Sequence, residues 1–463
     1  MLREAFQPEA YLSARRFFGT RSHPKHLLAF RLGLGQNSAE DMRVNARLSI
    51  LLIAWLVLAA IVAGCGGGGG TGTRSADDGG ANLSPLIYTV EEAQQQARWT
   101  VLVYLDADND LESAGIRNFN QMEVVGSTQD VHVIVQMDRK SGTDPDNDDW
   151  TDTRRYLITR DTDPKVMRSV RLDTPPLGEL NMADGATLGD FVAWGKSNFP
   201  ADNYLLVIWD HGTGWQTRSL DFTPRYKYIA ADDTSGSEMN ITDIPLALTG
   251  LSVDVIALDA CYMQQLEVAY ELRNCADYMV ASSAAEPSPG YNYARVLSHI
   301  SGDSDPAQLS RTIVQQYAVE YATESNITQS AVDLANVGAL ADAASDFALI
   351  LDANRGNWAA TLADARSHSL DYASSGTRRY SLDLIDYTSR CAGVIGGDAN
   401  DAYAQLQAAF GAAVIASVHS SDLPNAHGLA IYVPPPLKYD NSYGMLSLAG
   451  DTAWDEWLRG QQQ

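Results

Sequence analysis

Cysteine is scarce in this chain of 463 residues, which carries four cysteines, at Cys65, Cys261, Cys275 and Cys391. Thiols so few and so scattered exclude a disulfide framework, and no CxxC or Cys/His spacing indicates a zinc site. One bridge between Cys275 and Cys391 stays open as an alternative to two inert buried thiols, which we expect. The sequence therefore predicts that any reactive cysteine acts alone.

Positive charge is also in short supply, with 33 Lys and Arg against 58 Asp and Glu, a net charge of −25 and a pI near 4.5. A chain this acidic is a poor partner for nucleic acid or an anionic membrane surface, and its charge suits either solubility or the attraction of basic substrates. The sequence has no GxSxG elbow, no GxGxxG after a strand and no P-loop. It therefore lacks the motifs that identify serine hydrolases and nucleotide-binding enzymes. Hydrophobic residues at 45% and charged residues at 20% indicate an ordinary globular protein.

Long apolar runs are missing apart from residues 48–63, a stretch of 16 residues. It is shorter than the roughly 20 residues of a membrane span and typical of the central region of an export signal. We therefore predict an over-extended start at 1–41 and a lipoprotein signal peptide at 42–64. The run ends in Val62-Ala63-Gly64-Cys65, which resembles the lipobox of bacterial lipoproteins, whose cysteine is diacylated. A plain anchor helix is the alternative, and both predict a membrane-tethered protein.

The rest of the chain divides by composition. Residues 65–97 begin with a run of glycines and are predicted to be a flexible tether. Residues 98–300 are predicted to form the catalytic core, and residues 301–463 the C-terminal part of the same body, helical with late strands.

Two strand patterns end in chemically useful residues. The apolar, β-branched run at 253–259 is followed by Ala260, Cys261 and an amphipathic helix pattern, and residues 203–209 lead into Asp210, His211 and a glycine-rich loop. The His and the Cys lie 50 residues apart in the chain. Because the carboxyl ends of parallel strands meet at one edge of a sheet, we expect both side chains at the same rim.

Further patterns extend these two strands to a whole α/β sheet. Strands are predicted at 99–105, 131–137, 278–281 and, at an edge, 155–159, and helices at 112–125, 187–199 and 241–251. This alternation predicts a mostly parallel central sheet with helices on both faces. Within a helix-rich tail, residues 330–334 and 428–433 are predicted as late strands that extend the sheet.

A thiol next to an imidazole is the basis of cysteine nucleophile chemistry. The thiolate is the reactive form, and a neighbouring imidazole both accepts its proton and supplies a counter-charge. His211 would serve Cys261 in this way, and the backbone N–H groups of Cys261 and Gly212 would hold an oxyanion. Each residue alone is more often a buried thiol or a loop histidine, but together, each at a strand end, they favour catalysis. His132 and His427 lie inside apolar strand patterns, where packed or edge residues are expected.

The acidic stretch at 106–112 raises the question of calcium. An EF-hand loop needs Gly at its sixth position and Glu at its twelfth, where this sequence has Leu111 and Arg117. We therefore predict helix capping for these acids, and neither a metal nor a cofactor, with calcium as the lesser alternative.

Five segments together resemble the clostripain family of cysteine peptidases, from about Trp99 to the late strand. They are Tyr104-Leu105-Asp106-Ala107-Asp108-Asn109-Asp110-Leu111-Glu112, Asp210-His211-Gly212, Leu258-Asp259-Ala260-Cys261, Glu286-Pro287 and Ala426-His427-Gly428-Leu429-Ala430-Ile431-Tyr432-Val433. The resemblance implies a caspase-like three-layer sandwich, and a His–Cys dyad with no essential third residue. It makes Cys261 the nucleophile, His211 the base and acid, and Gly212 an oxyanion donor.

The resemblance also implies cleavage after Arg or Lys, with Asp259 in the pocket that receives this side chain. A cap for the following helix is an equally supported role for Asp259. The sequence departs from the family where Ser288 follows Glu286-Pro287, since a glycine often stands there, and this puts the basic preference in question. Self-cleavage between the two strands would occur after Arg218, Arg225 or Lys227. The alternative is that these three are ordinary basic loop residues that aid solubility.

The sequence as a whole predicts a membrane-anchored cysteine endopeptidase of the bacterial cell envelope, with its body facing the periplasm or the exterior and protein or peptide substrates. The alternative is a non-catalytic surface lipoprotein that uses the same fold to bind a peptide or partner.

Overall fold

The computed structural model describes residues 84–141, 144–216, 229–372 and 380–461. All of them belong to one compact unit, Asp78–Gln463, which holds both the predicted core and the predicted C-terminal part. The predicted signal, Cys65 and most of the predicted tether lie outside the described residues.

The secondary structure alternates as the sequence predicts. The strands are β1 Ala97–Ala107, β2 Val131–Arg139, β3 Arg154–Leu157, β4 Val170–Arg171, β5 Ala201–Trp209, β6 Ala230–Asp232, β7 Ser237–Met239, β8 Val253–Asp259, β9 Ala276–Ala281, β10 Thr328–Asp333, β11 Ser381–Asp383, β12 Val414–His419 and β13 Ala430–Tyr432. The helices are α1 Val90–Ala93, α2 Glu112–Val125, α3 Gly185–Asn198, α4 Asp243–Ala247, α5 Leu266–Leu272, α6 Tyr293–Ser298, α7 Pro306–Glu320, α8 Val337–His368, α9 Leu384–Ile395, α10 Asp398–Ala413, α11 Ser447–Asp451 and α12 Trp454–Gly460.

A sheet of nine strands in the order β12-β10-β9-β8-β5-β1-β2-β3-β4 organises the molecule. The central strands β9, β8, β5, β1 and β2 are parallel. The flanking strands β10 and β12 on one side, and β3 and β4 on the other, pair antiparallel. The predicted α/β sheet is confirmed, parallel at its centre and mixed overall.

Helices cover both faces of the sheet because its central strands are buried on both sides. In β1, Leu102 and Tyr104 belong to one core, while Val101 and Val103 belong to the other. The first core is closed by α3, α4, α5 and α8 to α12, and the second by α2, α6 and α7. A strand buried on both faces carries a continuous apolar run, which is why the sequence pattern located these strands well.

The late strands were predicted only in part. Residues 330–334 fall in β10, which extends the sheet, but 428–433 do not: β13 pairs with β11 in a separate sheet of two strands. The outermost strand is instead β12, which was not predicted, because an edge strand with partly exposed side chains has no strong apolar pattern. An apolar run predicts burial, and it does not say which sheet a strand joins.

The body begins earlier than the predicted boundary at residue 98. Ile87 is buried and its N–H donates to the Ser127 carbonyl at 3.1 Å. Thr89 then caps α1 in a reciprocal pair with Glu92. Residues 84–97 are therefore part of the folded body and not of a flexible tether. The predicted helix at 241–251 is likewise shortened to α4, which has Pro245 inside it.

One described helical stretch, Leu334–His368, is long and apolar enough to cross a membrane by length and composition. Its Leu340, Ala344, Phe347 and Leu351 lie in the first core. This packing is that of a core helix in a folded body.

Candidate active site

His211 and Cys261 leave the same edge of the sheet at the same level. Strands β5 and β8 are parallel neighbours, and Trp209 pairs with Asp259, so the residues that follow these two also run side by side. A Cβ on Gly212 would lie 2.3 Å from the carbonyl oxygen and 2.8 Å from the nitrogen of Cys261. The two loops therefore touch, and only glycine fits at position 212. The structure brings the predicted pair together.

Asp110 positions the histidine ring. Its Oδ1 lies 2.8 Å from His211 Nε2, and it comes from the loop that follows β1, the next strand in the sheet. Sequence reasoning missed this partner and predicted helix capping, whereas α2 begins after Leu111 without a side-chain cap. The signal for Asp110 was available, because three adjacent parallel strands must end at one edge.

Asp210 joins the loops that carry these side chains. This buried carboxylate accepts hydrogen bonds from Asn109 Nδ2 at 2.8 Å and from the N–H of Ala231 at 2.5 Å. The ends of β1 and β5 and the short strand β6 are thus bonded into one block. His211 directly follows Asp210 and is therefore held in place by this block.

Cys261 is half-buried, and its Sγ accepts a hydrogen bond from the N–H of Glu286 at 3.3 Å. The next residue, Tyr262, has φ of 63°, a left-handed conformation that is costly for a bulky side chain. Its N–H is held by the Ala284 carbonyl at 3.0 Å. The strained turn is fixed from outside and presents the thiol at the rim.

The other described thiols differ from Cys261. Cys275 and Cys391 are free and buried, so the expected pair of unlinked thiols is confirmed and the bridge is not formed. Burial raises the pKa of Cys275 to about 11 and that of Cys391 to about 12. Neither thiol ionises near neutral pH. Among the cysteines that the structure describes, this leaves Cys261 as the candidate nucleophile.

A cavity of about 220 Å³ opens beside the thiol, and Asp259 lines it. The Asp259 carboxylate is buried and accepts hydrogen bonds from Tyr291 N–H at 3.1 Å and Tyr293 Oη at 2.8 Å. Helix α5 begins at Leu266, and its N-cap residue is Gln265 with no side-chain cap, so the capping role of Asp259 is wrong. The carboxylate belongs to the pocket.

Glu286 brings a second carboxylate to the same cavity. Burial raises the pKa of Asp259 to about 6. Burial, then the charges of Asp259 and Cys261, raise the pKa of Glu286 well above its ordinary value. Since two close carboxylates cannot both ionise cheaply, the pair keeps one proton and one negative charge near neutral pH.

The stretch that departs from the family pattern still supplies the glycine that the pocket needs. A Cβ on Gly290 would lie 2.5 Å from Asp259 Oδ1, and its φ of 61° is left-handed. Gly290 therefore allows the loop over the pocket to pass close to the carboxylate.

The remaining candidates have other surroundings. His132 is packed in β2, and burial lowers its pKa to about 4. The Nδ1 of His427 lies 2.8 Å from Asp383 Oδ1, and this hydrogen bond raises the pKa of His427. Asp108, Glu179 and Asp232 converge near the block around Asp210, with one oxygen of each within 4.8 Å of the others. Arg218, Arg225 and Lys227 lie outside the described residues.

An α/β sandwich with a thiol, an imidazole and an acidic pocket at the carboxyl edge of its sheet defines the class of caspase-like cysteine peptidases. The model of the clostripain family matches residues 103–458, which is most of the chain. The chain belongs to the clostripain family.

Individual relatives agree with this assignment. Clostripain of Hathewaya histolytica is 29% identical over 251 residues, which cover 49% of this chain and 47% of clostripain. The chain thus matches about half the length of this curated relative. An inactive zymogen C11 protease from Parabacteroides distasonis superposes with a TM-score of 0.58 at 21% identity, covering 77% of this chain and 99% of the other.

A second solved structure shares the fold. It is a secreted C11 cysteine protease from Bacteroides thetaiotaomicron, in complex with an irreversible peptide inhibitor. Its TM-score is 0.56 at 24% identity, and the match covers 79% of this chain and 99% of the other. These similarities establish the three-layer fold.

The contact at Gly212 gives a direct test of the site. We expect Gly212→Ala to push the two loops apart and to lower the hydrolysis of labelled casein about 100-fold, as ångström misplacements of catalytic groups do. Gly338→Ala is the matched control, because nothing lies within 4 Å of a Cβ at that helix position. Circular dichroism checks that both variants fold, and full activity in Gly212→Ala would contradict the geometry.

Proposed function

We propose that this protein is an exported cysteine endopeptidase that cleaves peptide bonds after Arg or Lys, with Cys261 as nucleophile and His211 as base and acid. The observation that carries the proposal is the in-register ending of β5 and β8, which sets a half-buried thiol beside an imidazole at the mouth of an acidic pocket. Membership of the clostripain family supports the same chemistry.

The reaction follows from the placement of these groups. His211 takes the proton of Cys261, and the thiolate attacks the scissile carbonyl carbon. The N–H groups of Gly212 and Cys261 hold the oxyanion, and His211 then gives its proton to the leaving amine. An acyl-enzyme remains, and a water that passes a proton to His211 hydrolyses it. Thiol and imidazole are restored.

Asp110 orients the ring in this scheme. Because Nε2 is engaged with Asp110, Nδ1 is the atom that exchanges the proton with the thiol. The Asp110 side chain is 61% exposed, so water screens its charge. An ion pair with protonated His211 would therefore contribute only roughly 0.2–1 kcal/mol. Asp110 is therefore a positioning residue, and the thiol and imidazole carry the chemistry.

The acidic pocket favours a basic side chain. A guanidinium or ammonium group that enters it meets the single negative charge shared by Asp259 and Glu286, away from bulk water. A neutral side chain would leave this charge unpaired, which disfavours its binding. The chemistry of the pocket therefore supports Arg or Lys immediately before the scissile bond.

Export and anchoring complete the proposal. The short apolar run before Val62-Ala63-Gly64-Cys65 supports a cleaved signal and a lipid on Cys65. The relative from Bacteroides thetaiotaomicron is described as secreted. We place the protein in the bacterial cell envelope, tethered to the membrane.

The thiol mechanism predicts that Cys261→Ala abolishes the cleavage of a fluorogenic Arg peptide. Cys275→Ala should keep the cleavage, because that thiol is buried in the core. Release of the fluorophore measures both rates. Turnover that persists in Cys261→Ala would end the mechanism, and peptide binding without turnover by the unaltered chain would favour the non-catalytic surface lipoprotein.

The pocket predicts a selectivity that depends on pH. As the pH falls through about 6, Asp259 gains a proton and the pocket loses its charge. The ratio of kcat/KM for Arg to that for a neutral side chain should therefore fall from pH 7.5 to pH 5. Taking the ratio removes the titration of the thiol and imidazole, which both substrates share.

Asp259→Asn should lower this ratio roughly 30-fold, which corresponds to about 2 kcal/mol of transition-state stabilisation. It should also remove the pH dependence of the ratio. Asp277→Asn, an exposed acid on the neighbouring strand β9, serves as the control and should leave the ratio unchanged. A ratio insensitive to Asp259→Asn would exclude Asp259 from specificity and leave the thiol chemistry intact.

The anchor predicts that Cys65 becomes the first residue of the mature chain and carries lipid. Mass spectrometry of the N-terminus and the incorporation of an alkynyl fatty acid measure this. Cys65→Ala should lose the label. An unmodified Cys65 or an uncleaved signal in the native protein would contradict the proposal.

A further inference from the structure

A buried side-chain amide of helix α2 joins two walls of the acidic pocket. Asn118 is fully buried, and its Oδ1 accepts a hydrogen bond from Trp209 Nε1 at 3.0 Å. Its Nδ2 donates to the carbonyl oxygens of Pro289 at 3.0 Å and Tyr291 at 3.1 Å. Because an indole N–H only donates and a carbonyl only accepts, these partners fix the orientation of the amide.

One of these walls is the loop that follows β9. The two carbonyls held by Asn118 flank Gly290, which lines the cavity and packs against Asp259. The Tyr321 hydroxyl donates to the carbonyl of Gly290 itself. On the pocket side, Tyr291 N–H donates to Asp259 Oδ1 at 3.1 Å. The loop is thus bonded to the pocket acid through an N–H group and to the body behind it through its carbonyls.

The other wall is the end of β5. Trp209 is the last residue of this strand, lines the same cavity and pairs with Asp259 of β8. His211 follows two residues later. Because Asn118 holds Trp209 with its oxygen and the loop at 289–291 with its nitrogen, it sets the distance between the two sides of the pocket.

The bonding of Asn118 differs from that of another buried asparagine on the same helix. Asn120 is also buried, but its Nδ2 donates to the Ile116 carbonyl at 2.8 Å, within α2. Asn118 has a neighbour in its own helix, Gln121 Oε1 at 3.2 Å, and its other partners lie outside α2. Gln121 in turn accepts from Tyr293 N–H at 3.0 Å. The bonds of Asn118 therefore serve the pocket more than the helix.

We infer that Asn118 is a positioning residue that determines the specificity of the pocket. It is fully buried, so it acts on a substrate through the groups that it holds. It keeps the loop at 289–291 and Trp209 at the spacing in which the Asp259 carboxylate can pair with a guanidinium or ammonium group. Such a pair is directional and weakens when its partners are misplaced. The role rests on the proposed function, since it concerns the same pocket and the same basic side chain.

Irreversible labelling of Cys261 tests this role without requiring hydrolysis. Two peptidyl chloromethyl ketones that differ only in arginine or norleucine next to the ketone are compared with iodoacetamide, which does not need the pocket. Peptide mass spectrometry follows the modified thiol. For Asn118→Ala we expect the ratio of the arginine to the norleucine rate constant to fall about tenfold, because the loop is no longer held. The iodoacetamide rate should stay within about twofold of that of the unaltered chain, because the thiol and imidazole keep their surroundings.

Two further variants separate positioning from a general effect on the fold. Asn120→Ala is the matched control and should keep the ratio of the unaltered chain, because that amide bonds only within its helix. Asn118→Asp keeps the oxygen that faces Trp209 and removes the N–H donors, so the ratio should fall, whereas added negative charge alone would raise it. Circular dichroism checks folding, and the near-isosteric Asn118→Asp carries the test if Asn118→Ala does not fold.

The outcomes distinguish this role from the proposed function. An unchanged ratio in folded Asn118→Ala, an equal fall in Asn120→Ala or a rise in Asn118→Asp would overturn the role and leave the proposed function standing. An unaltered chain that iodoacetamide labels at Cys261, but that shows no preference for the arginine reagent, would refute the proposed basic specificity and the role of Asn118 with it.

Discussion

The pairing of β5 with β8 is the constraint on which the site depends. Backbone hydrogen bonds between two parallel strands fix their relative position to within one residue, and a shift of one residue would turn each following side chain to the other face. With Trp209 opposite Asp259, the loops leave the sheet together, and Gly212 packs directly on the backbone of Cys261. The placement of thiol and imidazole is thus a property of the sheet and not of flexible loops. The apolar packing on both faces of these strands holds that register.

In the acidic pocket, burial changes the protonation of two neighbouring carboxyl groups. A lone carboxylate in water would be ionised at any physiological pH, but Asp259 and Glu286 are removed from solvent next to each other, so they share charge and proton. Tyr291 and Tyr293 stabilise the ionised form of Asp259 through hydrogen bonds. Burial raises the pKa of Asp259, and the hydrogen bonds from Glu286, from the Tyr293 hydroxyl and from the Tyr291 backbone N–H oppose this rise.

Local pattern was enough to predict β1, β2, β5, β8 and β9, because strands buried on both faces carry unbroken apolar runs. It also predicted that His211 and Cys261 lie at one rim of the sheet, because the carboxyl ends of parallel strands meet at one edge, and the register of β5 with β8 agrees with this placement. Pairing between distant segments was not predictable in the same way. The sheet to which β13 belongs, the contact of Asp110 with His211 and the carboxylate of Glu286 against Asp259 all depend on packing between residues far apart in the chain. The capping roles predicted for the acidic loop and for Asp259 were wrong for the same reason.

The way the chain enters the body has a consequence for access to the site. Ile87 bonds to Ser127, at the turn between α2 and β2, which is the amino edge of the parallel strands, while Cys261 lies at their carboxyl edge. A strand of nine residues such as β5 is about 30 Å long. Residues 84–97 therefore join the body about one strand length from the rim that carries Cys261, away from the mouth that a polypeptide substrate would enter.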